Sequence, residues 1–341
     1  GPPGESLPLR LGRETADFIQ AHKDKPFLAY LSFYTVHGPI QTTPELWKKY
    51  QQKATASGLA KERFIFDRRL SVRQVQDCPI YAGMIETMDD AVGMVLKKLD
   101  QLGLADNTIF IFTTDNGTTL GRNIFNAGMR GSKGSEYDGG HRVPFLLHWP
   151  KGQLAKKRSV KTLTSFVDIV PTLLDLCGAT RKPDGLKFDG VSLRKLLYQG
   201  DHDDWPDRFL ITDSQRVVDP VKWRKSAVMS ERWRLINGTE LYDIDADPGQ
   251  KKDVARTYPD QVRKMRDFYD AWWAELEPTF SQTTEIYIGH EDAPEVSLTS
   301  HDWIGRGGTP WNQGHIRRGM AEKKGRHVGH WAVKVIREGR Y

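Results

Sequence analysis

The sequence has 341 residues, 38% hydrophobic and 28% charged, enough to bury a large core in one big domain plus a smaller one. No apolar run approaches the ~20 residues that a membrane-spanning helix needs, and two cysteines outside any metal-type spacing exclude a disulfide framework. With 50 Lys plus Arg against 44 Asp plus Glu the net charge is +6, and much of the excess is late (Arg317, Arg318, Lys323, Lys324, Arg326, Arg337, Arg340), in no nucleic-acid motif.

Up to about residue 205, helical and strand patterns alternate. A helix is predicted near Glu14–His22 and a strand near Phe27–Phe33. Ile85, Met88, Val92, Val95, Leu96, Leu99 and Leu102 repeat at helical spacing across Met84–Leu102. Strands follow at Thr108–Thr113 and near Val143–His148, then a helix at Ser165–Cys177. This alternation predicts an α/β fold, a mostly parallel sheet sandwiched by helices. The polar stretch Gln199–Asp207 marks a boundary. Residues 206–277 then read as a smaller antiparallel subdomain, with strands at Ser226–Met229, Arg232–Asn237 and Glu240–Ile244, the last two joined at Asn237-Gly238. A stripe of Val262, Met265, Phe268, Tyr269, Trp272 and Leu276 predicts a core-facing helix. Residues 278–341 read as an incomplete β-rich extension: His330–Ile336 is strand-like, and the chain stops at Tyr341 where a return strand would begin. Trp303 and Trp311 there suit buried anchoring, with stacking on sugar rings as the alternative.

Two segments carry chemistry. The strand Thr108-Ile-Phe-Ile-Phe-Thr113 leads into Thr114-Asp115-Asn116-Gly117, which puts an acid and an amide at a strand's carboxyl end, where α/β sheets gather ligands. Asp115 and Asn116 offer one charged and one neutral oxygen, which suits calcium or magnesium. A plain Asn-Gly turn has the same letters. Further on, Gly131-Ser-Lys133-Gly134 and Tyr137-Asp-Gly-Gly-His-Arg-Val-Pro-Phe145 bring a lysine into glycine-rich backbone that can approach an anion closely. No Gly-Lys-Ser/Thr triplet makes it a P-loop, and no helical pattern starts there. A solvated surface turn is the competing reading for this loop.

The order of these motifs resembles the type I sulfatases of the alkaline phosphatase superfamily. Pro26–Tyr34 with Val36-His37-Gly-Pro39 resembles their strand and active-site histidine. Ser165–Gly178 resembles the helix after their lysine segment, and Trp233–Asp243 the hairpin of their C-terminal subdomain. The resemblance implies Asp115 and Asn116 as calcium ligands, magnesium being the less favoured ion. It implies Lys133 as a contact to the sulfate and its bridging oxygen, and His37 as a sulfate contact and proton donor to the leaving alcohol. It also implies a formylglycine nucleophile, made from the Cys of Cys-x-Pro/Ala-x-Arg, with an Asp-Asp metal pair before it and a Lys-x-His pair after it. None of these has a counterpart here. The chain opens at Gly1 without an initiator Met, so an N-terminal section, with any export signal, is expected to be missing and the 341 residues alone to be inactive.

Three decoys are set aside. Cys177-Gly-Ala-Thr-Arg181 fits the letters of the nucleophile motif but reads as a helix terminus capped by Gly178. Asp89-Asp90 reads as a solvated helix face. Asp243-x-Asp245-x-Asp247 opens like an EF-hand, but Pro248 and Val254 hold the positions that need Gly and Glu. The function implied is hydrolysis of sulfate esters, of a sulfated carbohydrate or an aryl sulfate, in a periplasmic or secreted setting, with no nucleic acid and no membrane span. The alternatives are a phosphoester or phosphonate hydrolase of the same superfamily, and a non-catalytic polyanion-binding protein.

Overall fold

The structure is a computed structural model. It describes all residues except 1–3, 59–63, 68–69, 119–123, 155–158, 180–186, 201–204, 216, 218, 300–301, 306–328 and 341. Trp311, Arg181, Arg317, Arg318, Lys323, Lys324 and Arg326 therefore lie outside the described residues. The chain divides into two compact units, 1–271 and 272–341. The first unit holds both regions that the Gln199–Asp207 stretch separates in the sequence.

In the first unit, helix α1 (Leu7–Ala21) is followed by α2 (Pro44–Ala56), a β1–β2 hairpin (Phe64–Asp67, Leu70–Arg73) and α3 (Pro79–Gln101). Helices α1 and α3 meet closely because Gly12 has no Cβ; one placed there would stand 2.9 Å from the Ala91 carbonyl oxygen. Beside that crossing Ile19, Val95 and Leu99 form a core onto which Phe27, Leu31, Leu102, Leu104 and Phe110 pack. Of the predicted α3 stripe, Val95 and Leu99 are buried, while Ile85 and Leu96 face out.

Strand β3 (Phe110–Thr113) pairs with β4 (Phe145–His148), with the one-turn helix α4 (Asp138–His141) between them. The pairing is antiparallel, which corrects the expected mostly parallel sheet at this point. A parallel pair needs a crossover, usually a full helix, and α4 is only one turn. That turn also corrects the expectation that no helix starts in the glycine-rich loop. The predicted strand near Phe27–Phe33 is corrected too: it pairs with no strand among the described residues. Phe27 and Leu31 pack inward there, and Leu28 and Tyr30 are 82% and 91% exposed.

Helix α5 (Ile169–Leu176) starts from a capping box between Ser165 and Asp168, and its C-cap is Cys177, followed by Gly178 at φ 62°. Asp168, fully buried, accepts two hydrogen bonds from Arg208 at 2.6 and 2.7 Å. After α6 (Arg194–Gln199) comes an antiparallel sheet in the order β5 (Leu210–Asp213), β6 (Ser226–Met229), β7 (Trp233–Ile236), β8 (Glu240–Asp243). The β7–β8 hairpin turns at Asn237 and Gly238, both at positive φ, as mirror-image hairpin turns require. Side chains alternate between faces, so Arg234, Ile236, Glu240 and Tyr242 share one face, and Val228, Leu235 and Leu241 the other. All but Glu240 are buried. On helix α7 (Pro259–Leu276), Met265 and Tyr269 are fully buried, and the Tyr269 hydroxyl donates to Asp213 at 2.9 Å. The Asp243–Asp247 segment is a turn: Asp243 pairs with Arg232 and accepts from Asp245 and Ala246 N–H groups.

The second unit carries β9 (Ile286–Ile288), β10 (Ile304–Gly305), β11 (Gly329–His330) and β12 (Val333–Val335). Among the described residues, β9 with β12 is the parallel pairing; β10 pairs antiparallel with β11. Trp303 is half-buried and stacks edge-on against Trp331, ring centroids 4.5 Å apart.

Candidate functional site

Asp115 and Asn116 stand just past the end of β3, Asp115 exposed and Asn116 half-buried, with the Asn116 amide donating to the Asp115 carboxylate. The next residue fastens this turn. Gly117 N–H donates to the Gly140 carbonyl at 3.0 Å, and a Cβ on Gly117 would sit 1.9 Å from the Gly139 oxygen. One residue on, the Thr118 carbonyl accepts the Lys133 N–H at 3.3 Å. Two backbone hydrogen bonds thus bring the Asp-Asn turn and the lysine loop together, and glycine is required where they touch.

The loop owes its shape to buried groups. Gly131 sits at φ 81°, and Asn126, itself buried, donates to the Gly131 and Met129 carbonyls at 2.6 and 3.1 Å. Gly139 N–H donates to the Arg130 carbonyl at 2.7 Å. Asp138, fully buried, accepts from Arg234 Nε at 3.1 Å, and its N–H donates to Gln250 Oε1 at 2.9 Å. Buried charges persist when paired, and here Oδ1 carries the pairing, while Oδ2 has no hydrogen-bond partner among the described residues and faces Arg142 at 3.8 Å. Burial lowers the His141 imidazole below its ordinary value; Asp138 opposes the shift and Arg234 adds to it.

His37 lies in an exposed loop, its N–H donating to the Tyr34 carbonyl at 2.8 Å. Its Nδ1 is 2.8 Å from the Gly38 carbonyl, which makes Nδ1 the protonated nitrogen of the neutral ring and leaves Nε2 for other partners. Among the described residues no hydrogen bond or ion pair joins His37 to Asp115, Asn116 or Lys133.

Sequence reasoning missed Tyr81, in the first turn of α3. Its phenol is pushed above the ordinary value by burial and hydrogen-bonds Thr118, whose carbonyl holds Lys133. It also missed the partners beneath the loop. The available signal was an arginine, Arg234, inside an otherwise apolar strand. A cavity of about 650 Å³ opens between residues 127–129, 142–144 and the 246–251 turn, and none of the four predicted residues lines it.

Asp89 and Asp90 are exposed on α3. Cys78 is the N-cap of α3 and Cys177 the C-cap of α5, both as free thiols. Among the described residues no group of three or more His, Cys, Asp or Glu could hold a metal ion. Asp115 and Asn116 fit part of a hard cation's shell, two adjacent oxygens out of the about 6–8 that calcium takes.

Comparison with known proteins identifies the family. The Sulfatase family model matches residues 6–179, and the model for the C-terminal part of N-sulphoglucosamine sulphohydrolase matches residues 132–269. The chain belongs to the sulfatase family. It is 32% identical over 247 residues to a steryl-sulfatase of Rattus norvegicus, covering 70% of this chain and 38% of the relative. It is 31% identical to an ulvan-active sulfatase of Formosa agariphila and 26% identical to an N-acetylgalactosamine-6-O-sulfatase of Bacteroides thetaiotaomicron, covering 74% of this chain and 48% of the relative in each case. The chain thus spans less than half the length of these relatives. The crystal structure of Ps i-CgsB in complex with k-i-k-neocarrahexaose matches with a TM-score of 0.63 at 26% identity, over 79% of this chain and 55% of that one. The fold is the alkaline phosphatase-like α/β fold of the sulfatases, with the small antiparallel sheet appended. Phosphonate monoester hydrolase SpPMH from Silicibacter pomeroyi shares that fold, with a TM-score of 0.52 at 19% identity. The sulfatase family works with a formylglycine and a divalent metal. No helix among the described residues is long and apolar enough to cross a membrane.

Proposed function

We propose that this chain forms part of a sulfuric ester hydrolase acting on a sulfated sugar or polysaccharide. The observation that carries the reading is the docking of the Asp115-Asn116 turn onto the Lys133 loop, in a chain of the sulfatase family. The relatives named for ulvan and for N-acetylgalactosamine-6-O-sulfate support a carbohydrate substrate. A polymeric substrate of that kind is met outside the cytoplasm, which favours a periplasmic or secreted setting.

Asp115 and Asn116 would hold calcium, with magnesium the less suited ion, since the pair offers hard oxygens on a turn of no fixed octahedral geometry. The bound cation would neutralise charge on the sulfate oxygens. Lys133 is a compact charge on a backbone-anchored loop, suited to offset the charge that grows on the bridging oxygen as the S–O bond breaks. His37, with Nδ1–H held by the Gly38 carbonyl, would present Nε2 to the leaving oxygen and, as the imidazolium with a proton on both nitrogens, hand it the Nε2 proton. Neither cysteine of this chain fits the family's nucleophile motif in place: Cys78-Pro-Ile-Tyr-Ala82 lacks its arginine, and Cys177 caps the C-terminus of α5. The formylglycine is therefore expected from sequence outside these residues.

The test is turnover by the full-length protein of an aryl sulfate and sulfated sugars against a phosphonate monoester. Sulfate turnover with a lower kcat in Lys133→Ala and in His37→Ala supports the reading, and His37→Ala should also alter the pH profile. Preference for the phosphonate would replace it with the phosphonate hydrolase. Changes in KM alone would reduce both residues to binding.

A further inference from the structure

Lys133 sits in a loop that makes little structure of its own, and the residues that bracket it are held from elsewhere. At one end is Arg130, buried to 6% exposure. Its guanidinium lies 4.0 Å from the centre of the Tyr137 ring, and its Nη1 donates to the Tyr242 hydroxyl at 2.9 Å and the Gln250 carbonyl at 2.7 Å. At the other end is Tyr137, whose hydroxyl donates to Glu240 Oε2 at 2.9 Å. The Tyr242 hydroxyl donates to that same oxygen at 2.5 Å. One carboxylate oxygen on β8 therefore ties together both flanks of the lysine loop, through two tyrosines that stand edge-on with ring centroids 6.2 Å apart. Glu240 itself does not touch Lys133.

We propose that the β7–β8 hairpin is a positioning element for the reaction. Glu240, acting through Tyr242 and Arg130, sets where the Lys133 ammonium stands. This rests on the sulfatase reading, in which Lys133 meets the sulfate ester. The physical basis is the steep dependence of rate on placement: a displacement near 1 Å far from the chemistry can cost about a hundredfold. Tyr242 is the relay, accepting from Arg130 and donating to Glu240, so removing its hydroxyl cuts both links while leaving the ring packed. The antiparallel sheet then takes part in catalysis through geometry, without contributing a group to the substrate.

The experiment uses the full-length protein and an aryl sulfate, with Tyr242→Phe and Glu240→Gln made alone and on a Lys133→Ala background. The expected result for Tyr242→Phe is a kcat lower by about tenfold with KM within about twofold. Glu240→Gln keeps one acceptor oxygen and should retain most of the rate. In the Lys133→Ala background Tyr242→Phe should lower kcat no further, a result that general loosening of the fold would not give. Limited trypsin cleavage after Lys133 should quicken in Tyr242→Phe. If Lys133→Ala lowers kcat but Tyr242→Phe leaves it unchanged, or multiplies it by the same factor in both backgrounds, the positioning role is overturned and the sulfatase reading stands. If Lys133→Ala leaves kcat unchanged, the reading of the site falls, and the positioning role with it. Should Tyr242→Phe fail to fold, Glu240→Ala makes the same comparison, with the same outcomes on each side.

Discussion

Arg234→Ala removes the only cation within ordinary hydrogen-bond distance of the Asp138 carboxylate among the described residues. Asp138 is fully buried and Arg234 is 5% exposed, so little water can take the missing partner's place. Its next cation is Arg142, with Nη1 at 3.8 Å. The Ser230 and Trp233 carbonyls lose a donor as well. Stranding one member of such a buried pair costs about 3–5 kcal/mol. At about 2–4 °C per kcal/mol for a large domain, Tm should fall by about 6–20 °C. Thermal unfolding followed by tryptophan fluorescence measures the fall in Tm and urea unfolding the free-energy loss, since Trp233 adjoins the pair in sequence. The paired replacement Arg234→Met with Asp138→Leu should recover most of the loss, because an apolar pair of similar volume can match a buried ion pair. A loss under about 1 kcal/mol for Arg234→Ala, or strict additivity in the double variant, would refute the claim that this pair holds the loop to the sheet.

Two further outcomes follow from the same region. Burial lowers the His141 imidazole, so the fold favours the neutral ring; its contribution is complete above about pH 6.5 and is lost as pH falls through that value toward the depressed one. His141→Gln should therefore lose less stability than the parent between about pH 7.5 and pH 5 in urea titrations, and equal losses would count against it. Gly117→Ala puts a methyl into the Gly139 oxygen and should part the Asp-Asn turn from the lysine loop, cutting turnover by about tenfold or more. Unchanged turnover in a folded Gly117→Ala would show that the close approach is not needed.

The local parts of this molecule were legible and the distant ones were not. Helix α3, the antiparallel strands around Asn237-Gly238 and the cap at Gly178 follow from patterns a few residues long. Helix α2 went unread because none of its residues is buried, although Thr43 before Pro44 is a start signal, and the Thr43 side chain does accept the Leu46 N–H. The segment 27–33 has a strand's alternation, but alternation cannot say whether a partner strand lies alongside. The Asp115-Asn116 turn and the lysine loop were readable as motifs. That they touch depends on Gly117, which reads as a turn residue, and on Gly140, which reads as backbone free to approach an anion. The braces under the loop pair Arg130 with Tyr242 and Gln250, and Asp138 with Arg234, across about a hundred residues of sequence, where spacing carries no signal.

The most direct measurement is calcium binding and calcium-dependent sulfate-ester turnover by the full-length protein, compared for Asp115→Ala and Asn116→Ala. An anionic ligand contributes more to a hard cation than a neutral amide does. Asp115→Ala should therefore weaken calcium more than Asn116→Ala, and both should lose turnover, with added calcium restoring part of it in Asn116→Ala. Parental calcium affinity and turnover in Asp115→Ala would contradict the assignment of this turn as the metal site.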